Sequence, residues 1–121
     1  MVDAIRRGAF ISLDAAEMLS TVLVNGVPDR TLFLEGFCTL VESAMKAARS
    51  EYLRVAIFDD GCGLLYVEGN LDAAISVERM GNDLCKAHKL NILCGYPLLQ
   101  RQGYDPGFGN ICAEHSALYS D

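Results

Sequence analysis

The run Tyr52-Leu-Arg-Val-Ala-Ile-Phe58, closed by Asp59, Asp60 and Gly61, constrains this chain more than any other stretch. Five apolar residues, Leu53, Val55, Ala56, Ile57 and Phe58, are interrupted only by Arg54. The run is short enough for a strand, rich in branched and aromatic side chains, and too continuous for a strand with one wet face. It predicts an inner strand of a parallel sheet covered by helices on both sides. In such a sheet ligands bind beyond the carboxyl ends of the strands, which makes Asp59 and Asp60 the first functional candidates. Side chains of adjacent residues in extended backbone point to opposite sides, so only one of the two acids faces a cleft. The plainer role for one of them is to cap the following helix.

The flanking sequence supplies the layers. Met1 to Arg7 reads as the tail of a helix or a ragged start, and Ala9-Phe-Ile-Ser-Leu13 as a short strand entered through Gly8. Asp14 and Glu17 form a capping box for a helix with Met18, Leu19, Val22 and Leu23 as its stripe, stopped by Asn25-Gly26. A second helix opens at Asp29 or Arg30 and runs to Arg49, with Phe33, Phe37, Leu40, Val41, Ala44 and Ala48 on one face. Leu64-Leu-Tyr-Val67 reads as a short helical segment. Asn70 caps a third long helix that runs to about His88, turning Ala74, Val77, Leu84 and Cys85 or His88 inward. Asn91-Ile-Leu-Cys-Gly95 is the third strand, closed by Tyr96-Pro97, and Asp105-Pro106 opens a last helix to about Leu118. The expected fold is α/β: a small three-layer parallel sheet with crossover helices and few hairpins, in one domain spanning residues 1–121.

Composition narrows the partners. Ten basic against sixteen acidic residues give a net charge of -6, and without a basic cluster nucleic acid is not an expected direct partner. No apolar run approaches the roughly 18 residues of a membrane span. Cys38, Cys62, Cys85, Cys94 and Cys112 are odd in number, scattered, and contain no CxxC pair. That usage fits a reducing, cytoplasmic setting, with most of the thiols serving as small buried hydrophobes.

Few motifs carry chemistry. The chain contains no GxxxxGK[ST], no GxGxxG and no GxSxG, and Gly61-Cys-Gly63 is too short for a dinucleotide loop. Cys112 and His115 are three apart and share a helical face; Cys94 at a strand end can approach them, with Cys62 as a further donor. Such a set is a partial soft-metal site, though its spacing matches no zinc pattern, and Cys112 is equally well placed as core. A Cys–His catalytic pair lacks a third group to orient the histidine. His88 reads as a helix-end histidine. Tyr96, Tyr66 and Phe108 can wall an apolar pocket at the strand ends or serve as ordinary core.

Taken together, Phe10-Ile-Ser-Leu-Asp-Ala-Ala-Glu-Met-Leu19, Gly26-Val-Pro-Asp29, Arg54-Val-Ala-Ile-Phe58, Leu65-Tyr-Val-Glu-Gly-Asn-Leu-Asp-Ala-Ala-Ile75, Asn82-Asp-Leu84, Ile92-Leu-Cys-Gly-Tyr-Pro97 and Ile111-Cys-Ala-Glu-His-Ser116 resemble the MEDS family, the methanogen/methylotroph DcmR-type sensory domain. The Glu-Gly-Asn and Cys-Gly-Tyr-Pro pieces are the most specific part. The resemblance implies a truncated RecA/KaiC-like fold that senses small molecules, simple hydrocarbon derivatives among them, beside histidine kinases and DNA-binding regulators. Longer members begin with a further strand–helix–strand region containing a His and a Phe-Tyr, which has no counterpart here. The chain is thus expected to be a fragment or a short stand-alone variant. Members often carry Gly-Glu where this chain has Asp59-Asp60, so Asp60 matches the acid and Asp59 does not.

The leading expectation is therefore a non-enzymatic sensory or regulatory domain for a small organic molecule. A structural dimerisation module and a small metal- or thiol-dependent enzyme are the alternatives. Asp60 and Tyr96 are expected to line one crevice at the strand ends, with Cys94, Tyr66 and His115 as further ligand-binding candidates. No catalytic set, cofactor or resident metal is expected. Strand edges at Ala9–Leu13 and Ile92–Cys94 carry no lysine and no internal proline, and the stripe of Phe33, Phe37 and Val41 needs cover. Both features predict a homodimer.

Overall fold

Capping residues set the helix starts. The computed structural model describes residues 2–6, 10–48, 55–97 and 106–117. After α1 (Val2–Arg6), α2 (Ala15–Val22) begins where the Asp14 carboxylate accepts from the Glu17 amide at 2.9 Å. α3 (Arg30–Ala48) begins beside Asp29, whose Oδ1 accepts from the Leu32 amide at 2.9 Å. α5 (Leu71–Ala87) starts at Asn70, which accepts from the Ala73 amide at 3.3 Å. Each of these acceptors satisfies one of the first-turn amides that no helical carbonyl can reach.

Between α2 and α3 the chain makes a hairpin that the sequence reading missed. β1 (Leu23–Val24) pairs antiparallel with β2 (Val27–Pro28) around Asn25 and Gly26, whose φ angles are 52° and 77°. Two successive positive φ values are what a two-residue primed turn requires, and Asn-Gly supplies them. The expectation that Asn25-Gly26 only stops a helix is thus corrected. Asn70 also ties this turn to α5, its side-chain amide donating to the Gly26 carbonyl at 3.2 Å.

The second sheet is the one that positions the site. β3 (Ala56–Asp59) and β4 (Asn91–Cys94) run parallel, with Ile57 beside Ile92 and Asp59 beside Cys94. Between them lie α4 (Gly61–Val67) and α5, as a parallel crossover demands. The fold is thus mixed α/β, mostly helical, with one parallel pair and one hairpin among the described residues. No helix among the described residues is long and apolar enough to cross a membrane.

Several expectations need correction. Residues 11–14 form no strand, and Phe10, Ile11 and Leu13 are exposed; Ala9 lies outside the described residues. No strand among the described residues pairs with this stretch, so its backbone has no ladder to join. β3 is not covered on both sides. Its burial alternates, and Phe58 is 68% exposed. Among the described residues only the face carrying Ile57 packs against helices, where Ile57 and Ile92 meet Val41 of α3 and Leu84 of α5. The strand spans 56–59 rather than 53–58, and residues 53 and 54 lie outside the described residues, as do Arg49, Asp105 and Leu118. Of the stripe Phe33, Phe37 and Val41, the first and last are buried within the chain and Phe37 is half-buried.

Two ends also shift. α4 starts at Gly61, not Leu64, because glycine lets its first turn press on the strand-end loop: a Cβ on Gly63 would stand 2.6 Å from the Gly95 carbonyl oxygen. α6 (Pro106–Cys112) stops well before residue 118. Its end tightens into shorter bonds, Glu114 N–H to the Ile111 carbonyl and His115 N–H to the Cys112 carbonyl, both 3.1 Å.

Candidate functional site

The inner face of the parallel pair ends in two polar side chains, Asp59 and Cys94. Asp59 Oδ1 accepts from the Gly61 amide at 3.0 Å, and its Oδ2 takes a weak bond from the Cys62 thiol at 3.8 Å. Asp59 is therefore the acid that turns inward and holds the start of α4. Asp60 is exposed, and its side chain makes no capping bond.

Across from Asp59, α5 presents Glu78, only 5% exposed and the one buried charged residue among the described residues. A carboxylate at that depth persists only with partners. The Tyr96 hydroxyl donates to Glu78 Oε1, the Cys94 thiol donates to Oε2 at 3.5 Å, and His115 Nε2 lies 3.2 Å from Oε2. His115 is held in turn: its Nδ1 is 2.9 Å from the Ile111 carbonyl oxygen. Its neighbour Glu114 is clamped from α5, by Arg79 Nε on the carboxylate and by Asn82 Nδ2 on the carbonyl, both at 2.9 Å. One helix thus carries the central acid and also two of the groups that fix the opposite wall.

Asp59, Cys62, Glu78, Asn82, Cys94 and His115 border a cleft of about 240 Å³. Phe33, Phe37, Ile57 and Val77 contribute apolar lining, and Asp59, Cys62, Glu78, Cys94 and His115 contribute polar lining. Burial is the first cause of its electrostatics. It raises the Asp59 carboxyl above its ordinary range, with the Glu78 charge adding to it and the Gly61 amide working against it. Burial likewise pushes the Cys62 and Cys94 thiols up, reinforced by Glu78 and Asp59. The Tyr96 hydroxyl is raised by burial and then by donating to Glu78. Both thiols are thus pushed toward their protonated forms. Two carboxyl groups at one cleft can accept from a donor or face a cation.

The structure brings together some of the predicted residues and not others. Cys94, Tyr96 and His115 converge on Glu78. Tyr66 stands one layer back, its ring 6.1 Å from Tyr96 and 5.6 Å from Phe108. The three aromatics form a packed cluster beside the cleft rather than its wall. Asp60 does not share a crevice with Tyr96; Asp59 takes the cleft position, and Tyr96 reaches the site through Glu78. Cys112 is half-buried on α6 and is not part of the Glu78–Cys94–His115 group.

Sequence reasoning missed Glu78 and the contact between Cys38 Sγ and His88 Nε2 at 3.3 Å. A signal for Glu78 existed: it falls at helical spacing between Ala74 and Cys85 on the inward face of α5, where an acid is out of place without a partner. Cys38 and His88 are far apart in the chain, and nothing local links them. Comparison of this chain with protein-family models, curated proteins and solved structures yields no match.

Proposed function

We propose that this chain is a non-enzymatic sensory or regulatory domain that binds a small organic molecule in the cleft at the carboxyl ends of β3 and β4. The observation that carries the reading is the mixed lining of that cleft. Phe33, Phe37 and Ile57 contribute apolar lining, and Asp59 and Glu78 contribute two acceptor-rich carboxyl groups. A ligand that fits has a compact apolar body and a hydrogen-bond-donating or cationic end, such as a small amine or alcohol. The cleft volume of about 240 Å³ favours a molecule of only several heavy atoms. The resemblance to the MEDS sensory domains points the same way. It carries with it the idea of a truncated RecA/KaiC-like three-layer domain working beside a histidine kinase or a DNA-binding regulator. Raised thiols at Cys62 and Cys94 argue for binding over thiol catalysis.

Thermal unfolding of the full chain with a panel of small amines, alcohols and halogenated hydrocarbons tests this. A ligand present at 100 times its dissociation constant adds about 2.7 kcal/mol to stability, which is a shift of several degrees. Asp59→Asn and Glu78→Gln should each reduce that shift, and the exposed Asp60→Asn should not. No stabilisation by any member of the panel at millimolar concentration argues against the reading.

A second reading, a two-fold homodimer, is favoured by the outer face of the parallel pair. Phe58 and Leu93 are register partners there, 68% and 57% exposed. An uncovered apolar pair on a two-stranded sheet is an invitation to a second copy. Light scattering over a dilution series tests it, and a mass of 13.2 kDa at high micromolar concentration rejects it.

A further inference from the structure

His115 decides what its neighbours can hold. Its Nδ1 lies 2.9 Å from the Ile111 carbonyl oxygen. A carbonyl oxygen only accepts, so Nδ1 carries the hydrogen and, in the neutral ring, Nε2 bears the lone pair. That lone pair faces Glu78 Oε2 at 3.2 Å, and the Cys94 sulfur stands 3.5 Å from the same oxygen. The three ligand atoms lie within 4.8 Å of one another. Three electron-rich atoms this close require positive charge among them, either protons or a metal ion.

Two of the three separations, from Glu78 Oε2 to His115 Nε2 and from Glu78 Oε2 to Cys94 Sγ, suit a metal. Bonds of about 2.0 Å to oxygen and nitrogen and about 2.3 Å to sulfur, at tetrahedral angles, place an O,N pair about 3.3 Å apart and an O,S pair about 3.5 Å apart. The observed values are 3.2 Å and 3.5 Å. Outer contacts of the kind that tune metal sites are also present. The Ile111 carbonyl orients the imidazole, and the Tyr96 hydroxyl occupies Glu78 Oε1, which leaves Oε2 for the ion. Arg79 and Asn82, on the helix that carries Glu78, hold the segment that carries His115.

We propose that Glu78, Cys94 and His115 form a mononuclear site for a first-row divalent transition metal, Zn²⁺ by the chemistry of one oxygen, one sulfur and one nitrogen donor. All three residues border the cleft, so a fourth position opens toward it. There the ion takes a water or the donor atom of a small molecule. As the metal–sulfur bond forms, the Cys94 thiol gives its proton to solvent, one proton per ion bound, and the imidazole binds through Nε2 without losing one. The site goes beyond the ligand reading above and stands or falls without it.

The test uses the full chain, stripped of metal by a chelator and kept reduced, and titrated with Co²⁺ while absorption is recorded. One ion per chain is expected, with a thiolate-to-cobalt band in the near ultraviolet and the visible bands of a tetrahedral site, both removed by Zn²⁺. Cys94→Ser should abolish the near-ultraviolet band. His115→Asn and Glu78→Gln should each weaken Zn²⁺ binding by about 100-fold or more. Cys112→Ser should change neither. Far-ultraviolet circular dichroism checks that each variant folds, and Glu78→Gln keeps an acceptor for Tyr96. X-ray absorption of the Zn²⁺-loaded wild-type chain needs no variant: a shell with one sulfur and the rest nitrogen or oxygen supports the site. A shell without sulfur, no Co²⁺ uptake at millimolar concentration, or a band that survives in Cys94→Ser but vanishes in Cys38→Ser overturns it. The last result would place the ion at Cys38 and His88. Failure of the metal titration leaves the thermal-shift panel on metal-free protein untouched, so the two proposals fail separately.

Discussion

The two faces of the β3–β4 pair share one backbone and have opposite fates. On the inner face Ile57 lies beside Ile92 and Asp59 beside Cys94. The isoleucines pack on Val41 and Leu84, and the polar pair lines a cleft with Glu78 and His115. On the outer face Phe58 and Leu93 are left largely exposed. Side-chain type does not sort these residues, since a phenylalanine faces out while a carboxylate on α5 faces in. What sorts them is cover. Helices α3 and α5 lie over one face only, and Glu78 enters the interior because three partners await it there.

The sharpest way to break this contrast is to hollow out the inner side. Leu84 is fully buried behind Ile57 and Ile92. Leu84→Ala should cost about 3 kcal/mol, read as a lower denaturant midpoint with little change in slope. A loss within about 0.5 kcal/mol would mean that the inner face is not the supporting one.

Tyr96→Phe asks how much the polar end depends on its donor. It removes the hydroxyl that satisfies Glu78 Oε1 and leaves that oxygen buried. The expected cost is about 2 kcal/mol at neutral pH. Tyr66→Phe, one layer back, should cost less.

Asp59 sharpens the contrast through pH. Its folded carboxyl is raised above the ordinary value of 3.8, so the folded chain holds that proton more tightly than the unfolded chain does. Stability from this group is therefore greatest below pH 3.8 and falls as pH rises to the folded pKa. The slope is at most about 1.4 kcal/mol per pH unit. Asp59→Asn keeps an oxygen for the Gly61 amide but has no charge. It should remove that fall and leave the variant more stable than the wild type at neutral pH. Equal stability at pH 7, with parallel pH profiles, would contradict the buried placement.

The smallest effect belongs to the outer face. Leu93→Ala should change the stability of the isolated chain by less than about 0.5 kcal/mol. If a dimer forms through this face, Phe58→Lys should raise its dissociation constant while the far-ultraviolet spectrum stays the same.

Periodicity made α3 and α5 readable almost to their ends, and caps at Asp14 and Asn70 behaved as side-chain chemistry requires. The branched run before Asp59 announced a strand, and Ile92-Leu-Cys94 its partner. Strand propensity says nothing about cover, however: it places Phe58 inside and makes a strand of Phe10, Ile11 and Leu13, which find no neighbour to pair with among the described residues. Asn25-Gly26 is compatible with a helix stop and with a primed hairpin turn, and only the pairing of Val24 with Val27 decides between them. The site was half visible. Strand-end position points to Cys94 and Tyr96, and the three-residue step from Cys112 points to His115. Glu78 was passed over, although an acid on the inward stripe of α5 is a conflict between local and global preference, and such conflicts gather at functional sites. The choice between Asp59 and Asp60 rests on which side of β3 meets the helices, a fact of packing that the two letters do not contain.

Chemical-shift mapping of backbone amides, with the best-stabilising small molecule titrated into the full chain, most directly tests whether the inner rim is the binding face. The expected result is saturable change confined to the amides around Asp59 to Cys62, Glu78 to Asn82, Cys94 and His115, with Phe58 and Leu93 shifting only through their neighbours. Saturable shifts centred on the outer face, with the Glu78 and His115 amides unmoved, would contradict the account.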